Sequence, residues 1–288
     1  ILPPLTYYCF IIAHSIGQVN YLGATSLIFS FIYIIFKNKE YNIDLNKTVL
    51  IDERILKAVG SRMYLEVGDV ITVKELLYGL ILQSGNDAAL AIADYVGGSV
   101  DEFVDLMNKK AKELGCEKTY YITPNGLDAN DENGNHITSA KDLATIMCYC
   151  IRGSDKSGEF LKITKTPSYS FKDIDGKNSY NCTNHNLFLN MMDGAISGKT
   201  GYTSKAGYCY VGALERDGRT FVVSLLACGW PNHKNYKWSD TKKLMEYAIE
   251  NYEYREISPD MELTDVQVEN GVTNQMVISD FGQKYGYG

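Results

Sequence analysis

The chain has 288 residues, 45% of them hydrophobic, a formal net charge of −7 and a pI near 5.2, enough to bury a sizeable core as one large domain plus part of another. With no Lys/Arg cluster interleaved with aromatics, the acidic balance excludes nucleic acid and disfavours an anionic lipid surface as partner. Seven cysteines without a C-x-x-C pair, and four scattered histidines, indicate neither a disulfide framework nor a zinc site, so no metal or other cofactor is expected.

The first 36 residues contain no Asp, Glu, Lys or Arg. A secretory signal would open with a basic segment and close on a small-residue cleavage site, and neither is visible. The apolar run from Ser26 to Phe36 is shorter than the ~20 residues a membrane span needs, so a buried helix is expected there. Its β-branched and aromatic content makes it a poor helix former.

Thr72 is placed to cap a helix running to Leu82, followed at once by the polar string Gln83-Ser84-Gly85-Asn86-Asp87. A second helix is expected over Ala88 to Tyr95, stopped by Gly97-Gly98, and a third over Val100 to Leu114, capped by Ser99 and closed by Gly115. Tyr121 to Asn135 reads as loop, and a further capped helix begins at Thr138. From Ser204 the pattern becomes strand: Ala206–Leu214 and Thr220–Ala227 flank Asp217-Gly218, a hairpin signal. Trp238 to Tyr252 reads as a last amphipathic helix, and after Tyr254 short alternating segments read as the start of a small β domain that the chain does not complete. The expected division is therefore 1–254 and 255–288.

Ser84-Gly85-Asn86 is weak alone, because any helix-to-helix turn uses those residues. Lys199-Thr200-Gly201 is equally weak, since a strand entry followed by a conformational glycine explains it. Co-occurrence in this order and context gives both meaning: one follows an apolar helix and the other precedes a hairpin. With Leu82-Gln-Ser-Gly-Asn-Asp-Ala-Ala89, Thr123-Pro-Asn-Gly-Leu-Asp128 and Ser197-Gly-Lys-Thr-Gly-Tyr-Thr-Ser-Lys-Ala-Gly207, residues from about 50 to 288 resemble the D-alanyl-D-alanine carboxypeptidases, the low-molecular-mass penicillin-binding proteins. Class A β-lactamases share the three motifs of this fold but add a deacylating Glu in a Glu-x-x-Leu-Asn string, which this chain lacks.

The resemblance implies an α+β fold, an antiparallel sheet flanked by helices with a helical subdomain over about 50–150 and the cleft between them. The N-terminal strand would lie beside the 206–227 hairpin. It implies a serine acyl transferase that removes the terminal D-alanine from peptidoglycan pentapeptides outside the cytoplasmic membrane and is inhibited by β-lactams. Membrane association would require a segment absent from this chain. Carried over by position, Ser26 would be the nucleophile, Ser84 a proton relay, and Asn86 an orienter of the substrate amide. Lys199, counted with the catalytic residues, would place positive charge near the substrate carboxylate and near the serine pair, Thr200 would hydrogen-bond that carboxylate, Gly201 would leave room for the approach, and the N–H groups of Ser26 and Tyr202 would form the oxyanion hole. Lys237 is a further carboxylate contact by the same carry-over, against an ordinary exposed helix-flanking lysine. His136, in a His-x-Thr-Ser-Ala string, is given a structural role.

One motif departs. The family's nucleophile lies in Ser-x-x-Lys, and the corresponding stretch here reads Ser26-Leu27-Ile28-Phe29. A phenyl ring accepts no proton, so turnover through Ser26 would be close to lost. The other Ser-x-x-Lys, Ser239 to Lys242, reads as a helix cap with exposed lysines. Two explanations stand: a pseudoenzyme that keeps a muropeptide-binding cleft, or an N-terminal stretch, to about Asn38, that is not native. The loss of every charge across 36 positions favours the second.

Overall fold

The computed structural model describes residues 9–15, 44–257, 266–267, 275–276 and 284–286; Ser26, Phe29 and the expected helix around them lie outside the described residues. Its contacts divide the chain into two units, Ile1–Ala248 and Ile249–Gly288.

In the first unit, β1 (Cys9–Ser15) precedes a short pair, β2 (Thr48–Leu50) with β3 (Val70–Thr72). Helix α1 (Val73–Leu82) starts where expected: Thr72 accepts from the Glu75 N–H, and the Glu75 carboxylate reaches back to the Thr72 N–H. It is apolar nearly all round, with Val73, Leu76, Leu77, Leu80 and Leu82 fully buried, which makes it the central helix of its layer. Helix α2 (Asn86–Gly97) begins inside the polar triplet, earlier than the apolar pattern indicated, and ends on Gly98 at φ +85°. Ser99 caps α3 (Val100–Glu113), which buries Phe103, Val104, Met107 and Ala111 along one face.

A small hairpin, β4 (Asn130–Asp131) with β5 (Gly134–Asn135), leads into α4 (Ala140–Cys148), capped by Ser139. Helix α5 (Ser157–Lys165) and the hairpin β6 (Ser168–Lys172) with β7 (Ser179–Thr183) follow. Asp69 fixes that hairpin, accepting from Asn178 Nδ2 at 2.9 Å and from the Tyr180 hydroxyl.

The main sheet has the order β1-β10-β9-β8, with β8 at Ala195–Thr203, β9 at Gly207–Arg216 and β10 at Arg219–Leu226. The β9–β10 turn is the expected one, with Asp217 and Gly218 both at positive φ. β8, β9 and β10 are antiparallel, but β1 joins β10 in parallel, pairing Cys9 with Thr220 through Ser15 with Leu226. The N-terminal strand therefore lies beside the hairpin as expected, in the opposite sense to an all-antiparallel sheet. The long intervening chain permits this, because a parallel pair needs a crossover rather than a turn. Helix α6 (Tyr236–Asn251) begins in this unit and runs past its boundary at Ala248. Ser239 is exposed inside this helix, its hydroxyl donating to the Tyr236 carbonyl, so it is not the expected cap. In the second unit, β11 (Arg255–Ile257) pairs with β14 (Lys284–Gly286), and β12 (Val266–Gln267) with β13 (Gln275–Met276).

His136 is fully buried, and its Nδ1 accepts from the N–H groups of Ile122 and Thr123 at 2.9 and 3.2 Å. Burial pushes its pKa down to about 4, so the imidazole is neutral and pins the 121–128 loop. The unfolded chain, with an ordinary histidine near 6.5, then binds more protons between pH 6.5 and 4, and stability falls as pH drops through that window. The expected loss from this residue is ~3 kcal/mol by pH 4, read from urea midpoints across pH 4–7 and absent from a His136→Gln comparison.

Candidate active site

The turn between α1 and α2 and the edge strand β8 meet at a cleft of about 580 Å³ in the first unit. Ser84, Asn86, Thr200, Gly201, Tyr202 and Lys237 all line it. The structure thus brings together every expected site residue except Ser26, which lies outside the described residues; Lys199 does not itself line the cleft but meets Ser84 there.

Lys199 is only 3% exposed, and its Nζ donates to Ser84 Oγ at 2.5 Å and to the Thr200 carbonyl at 2.8 Å. Burial disfavours the ammonium and pushes its pKa down to about 7. Strand β8 points Lys199 inward because side chains alternate across the sheet, and the neighbours Thr200 and Tyr202 are correspondingly more open. Ser84 sits at φ +56°, a left-handed conformation uncommon for a residue with a side chain.

Asn86 is held at the first turn of α2, its Nδ2 donating to the Val59 carbonyl at 2.6 Å and its N–H to the Ser61 carbonyl at 2.9 Å. Since the Val59 carbonyl requires a donor, the amide oxygen faces the other way. That Oδ1 is buried without a partner among the described residues, an acceptor available to a ligand N–H in the cleft. Asp87 supports the same wall, its carboxylate accepting from the N–H groups of Met63 at 3.0 Å, Leu65 at 3.2 Å and Ala88 at 2.9 Å.

Lys237 is buried rather than an exposed flanking residue, because its stem lies in the first turn of α6 among aromatic rings. Its Nζ is 4.4 Å from the Tyr208 ring centre and 4.9 Å from that of Trp238, and it donates to the Lys234 carbonyl at 2.5 Å. Burial lowers its pKa from the usual lysine value.

Several cleft residues were not singled out in the sequence. Gly60 and Ser61 reach the cleft through a loop clamped by Asn86 and Asp87. His185 lines it too, its pKa lowered by desolvation and by the nearby Lys199 charge. Leu127 belongs to the Thr123–Asp128 string, whose Asp128 accepts from Thr203 Oγ1 at 2.9 Å and so ties that loop to the end of β8.

Behind β8, Gly198 makes room for Tyr210, whose hydroxyl donates to Asn186 Oδ1 at 2.8 Å and whose ring packs edge-on against Trp238 at 5.0 Å. A Cβ on Gly198 would lie 2.3 Å from the Tyr210 hydroxyl and 2.8 Å from Asn186 Nδ2. Gly198→Ala is expected to cost roughly 1–3 kcal/mol in denaturant unfolding and to loosen the wall carrying Trp238.

A buried amine against a serine, beside an amide acceptor unpaired among the described residues, thus lies at the edge of an antiparallel sheet facing a helical layer. The Streptomyces K15 DD-transpeptidase structure matches with a TM-score of 0.70 and 30% identity, covering 80% of this chain and 88% of that one. The sequence profile described as D-alanyl-D-alanine carboxypeptidase matches residues 25–227, and the chain belongs to that family. DacF of Bacillus subtilis is 33% identical over 212 residues, 73% of this chain and 51% of the relative. DacB2 of Mycobacterium tuberculosis is 38% identical over 184 residues, 64% of this chain and 60% of the relative. The chain thus spans between half and two thirds of the length of these two curated relatives. Among the described residues no helix is long and apolar enough to cross a membrane, and no group of three or more metal-ligating side chains forms.

Proposed function

We propose that the cleft receives the D-alanyl-D-alanine end of a peptidoglycan stem peptide and transfers its penultimate acyl group to a serine, releasing D-alanine. The observation that carries this reading is the convergence of two motifs 115 residues apart, with Lys199 Nζ 2.5 Å from Ser84 Oγ. In this reading Asn86 Oδ1 accepts from the substrate amide, and Thr200 and the Lys237 ammonium meet the terminal carboxylate. Gly201 and the Tyr202 N–H face the scissile carbonyl. Such substrates place the protein at the outer face of the cytoplasmic membrane, and β-lactams would act as substrate mimics.

Phe29, standing where the family carries its lysine, favours a second reading, in which the cleft binds muropeptides reversibly without chemistry. Capture of a labelled penicillin separates the two. A mass gain equal to the whole antibiotic, surviving denaturation, is the expected result; occupancy that washes out on denaturation would establish the reversible reading instead.

A further inference from the structure

Building on that acyl-transfer reading, we propose that Tyr202, Tyr208 and Trp230 form a ledge for the side chain of the residue preceding D-alanyl-D-alanine, and that it selects a long aliphatic side chain without a cationic end. The direction of the donor follows from the reading. With the terminal carboxylate at Thr200 and the scissile carbonyl at the Tyr202 N–H, the preceding residue continues toward Thr203 and Ser204. Among the described residues β8 is the outermost strand of its sheet, so an extended peptide can follow it that way. At ~3.4 Å per residue Ser204 lies roughly 7 Å beyond Tyr202, within reach of a long side chain on that preceding residue.

Tyr202 is 38% exposed and lines the cleft, and its ring lies against that of Tyr208, a second lining residue, with centres 4.6 Å apart. Trp230 carries aromatic surface on past the end of the strand. Its indole N–H donates to the Ser204 carbonyl at 3.0 Å, and its ring packs against Gly207, where a Cβ would come 3.0 Å from the ring. Its neighbour Gly229 accepts from the Tyr208 N–H at 2.8 Å. The indole is thus anchored by its polar edge, yet the residue stays 44% exposed, a preformed apolar surface that a ligand's methylenes can cover. Charge completes the selection. Among the described residues the cleft is lined by His185, Lys234 and Lys237 and by no Asp or Glu, and the Lys237 ammonium already lies 4.4 Å from the Tyr208 ring centre. A free ammonium on the donor would meet like charge with no carboxylate to offset it, whereas a methyl or an acylated amine would not.

The test compares kcat/KM for D-alanine release and, where nothing is released, Kd by calorimetry, in the native full chain and in folded Tyr202→Ala, Tyr202→Phe and Trp230→Ala. The ligands are Nα-acetyl-X-D-alanyl-D-alanine with X alanine, norleucine or lysine. The native chain is expected to favour norleucine over alanine on the order of tenfold, the gain from covering roughly two methylene groups. The lysine peptide is expected to fall severalfold below norleucine at low salt, a gap that narrows at high salt. The norleucine-to-alanine ratio should fall close to one in Tyr202→Ala and Trp230→Ala and survive in Tyr202→Phe, which keeps the ring. General damage to the cleft would weaken both peptides together and leave that ratio alone. A norleucine peptide favoured over neither of the others, or a ratio that removal of either ring leaves intact, would overturn the ledge while D-alanine release upholds the acyl-transfer reading. Binding with the expected ratio but without D-alanine release would uphold the ledge and overturn acyl transfer alone. No binding of any peptide would overturn both.

Discussion

Replacing Lys199 by methionine is expected to lower the rate of covalent penicillin capture by on the order of a thousandfold while making the folded chain more stable at neutral pH. The two effects have one cause. Lys199 is 3% exposed, and its pKa is about 7 when folded against 10.5 as an ordinary lysine. Between those values the unfolded chain binds more protons than the native one, so stability rises with pH across pH 7–10.5. Below pH 7 the native state carries a buried ammonium with no compensating carboxylate among the causes that set its pKa. Methionine keeps much of the aliphatic stem and removes the charge, for an expected gain of up to roughly 4 kcal/mol at pH 7. In the native chain, capture should quicken as pH rises through about 7, with His185 and Lys237 the other cleft groups whose titration is shifted downward by burial. Denaturant unfolding and stopped-flow labelling on the same samples read both. A variant that loses stability together with capture would mean that Lys199 is there for packing.

The second large effect is expected at Asp87, 1% exposed, whose carboxylate accepts three backbone N–H groups at once. Asp87→Ala leaves those donors buried without partners and removes a negative charge from the first turn of α2, an expected cost of roughly 3–5 kcal/mol. For a chain of this size that lowers Tm by on the order of 10 °C. Because Met63 and Leu65 belong to the loop that carries Gly60 and Ser61 into the cleft, penicillin capture should slow even below the unfolding temperature. Asp87→Asn keeps the size and some acceptor capacity and should recover part of both losses. Thermal unfolding beside a capture rate at 20 °C checks this, and an unchanged capture rate in folded Asp87→Ala would mean that the loop holds its place without the carboxylate.

Where local chemistry dictates structure, the sequence was legible. Thr72 and Glu75 cap α1, Gly98 closes α2, Ser99 opens α3, and Asp217-Gly218 turns the β9–β10 hairpin. Each of these signals is complete within a few residues. What depended on distant partners was not legible. The apolar run of β1 could not specify that it pairs in parallel with β10. Lys237 reads as a surface lysine until the rings of Tyr208 and Trp238 are seen to surround it. The Asp175-Gly176 turn of the β6–β7 hairpin carries the same local signal as Asp217-Gly218, but nothing local shows that the distant Asp69 holds the hairpin.

The cleft divides in the same way. Its motif residues could be found because Ser84-Gly85-Asn86 and Lys199-Thr200-Gly201 are short and ordered. The 60–65 loop and His185 could not: Asn86 and Asp87 hold the loop through space, and His185 lines the cleft from outside both motifs. A buried aspartate immediately after the first motif was the one usable sign that the motif carries a wall as well as a reactive side chain.

Release of D-alanine from diacetyl-L-lysyl-D-alanyl-D-alanine, followed with a D-amino-acid oxidase readout, tests the central claim most directly. The native chain is expected to release D-alanine, Lys199→Met to release almost none, and the diastereomer ending in L-alanine to be left intact. A folded native chain that binds the peptide yet releases no D-alanine would contradict acyl transfer at this cleft and leave a peptide-binding protein in its place.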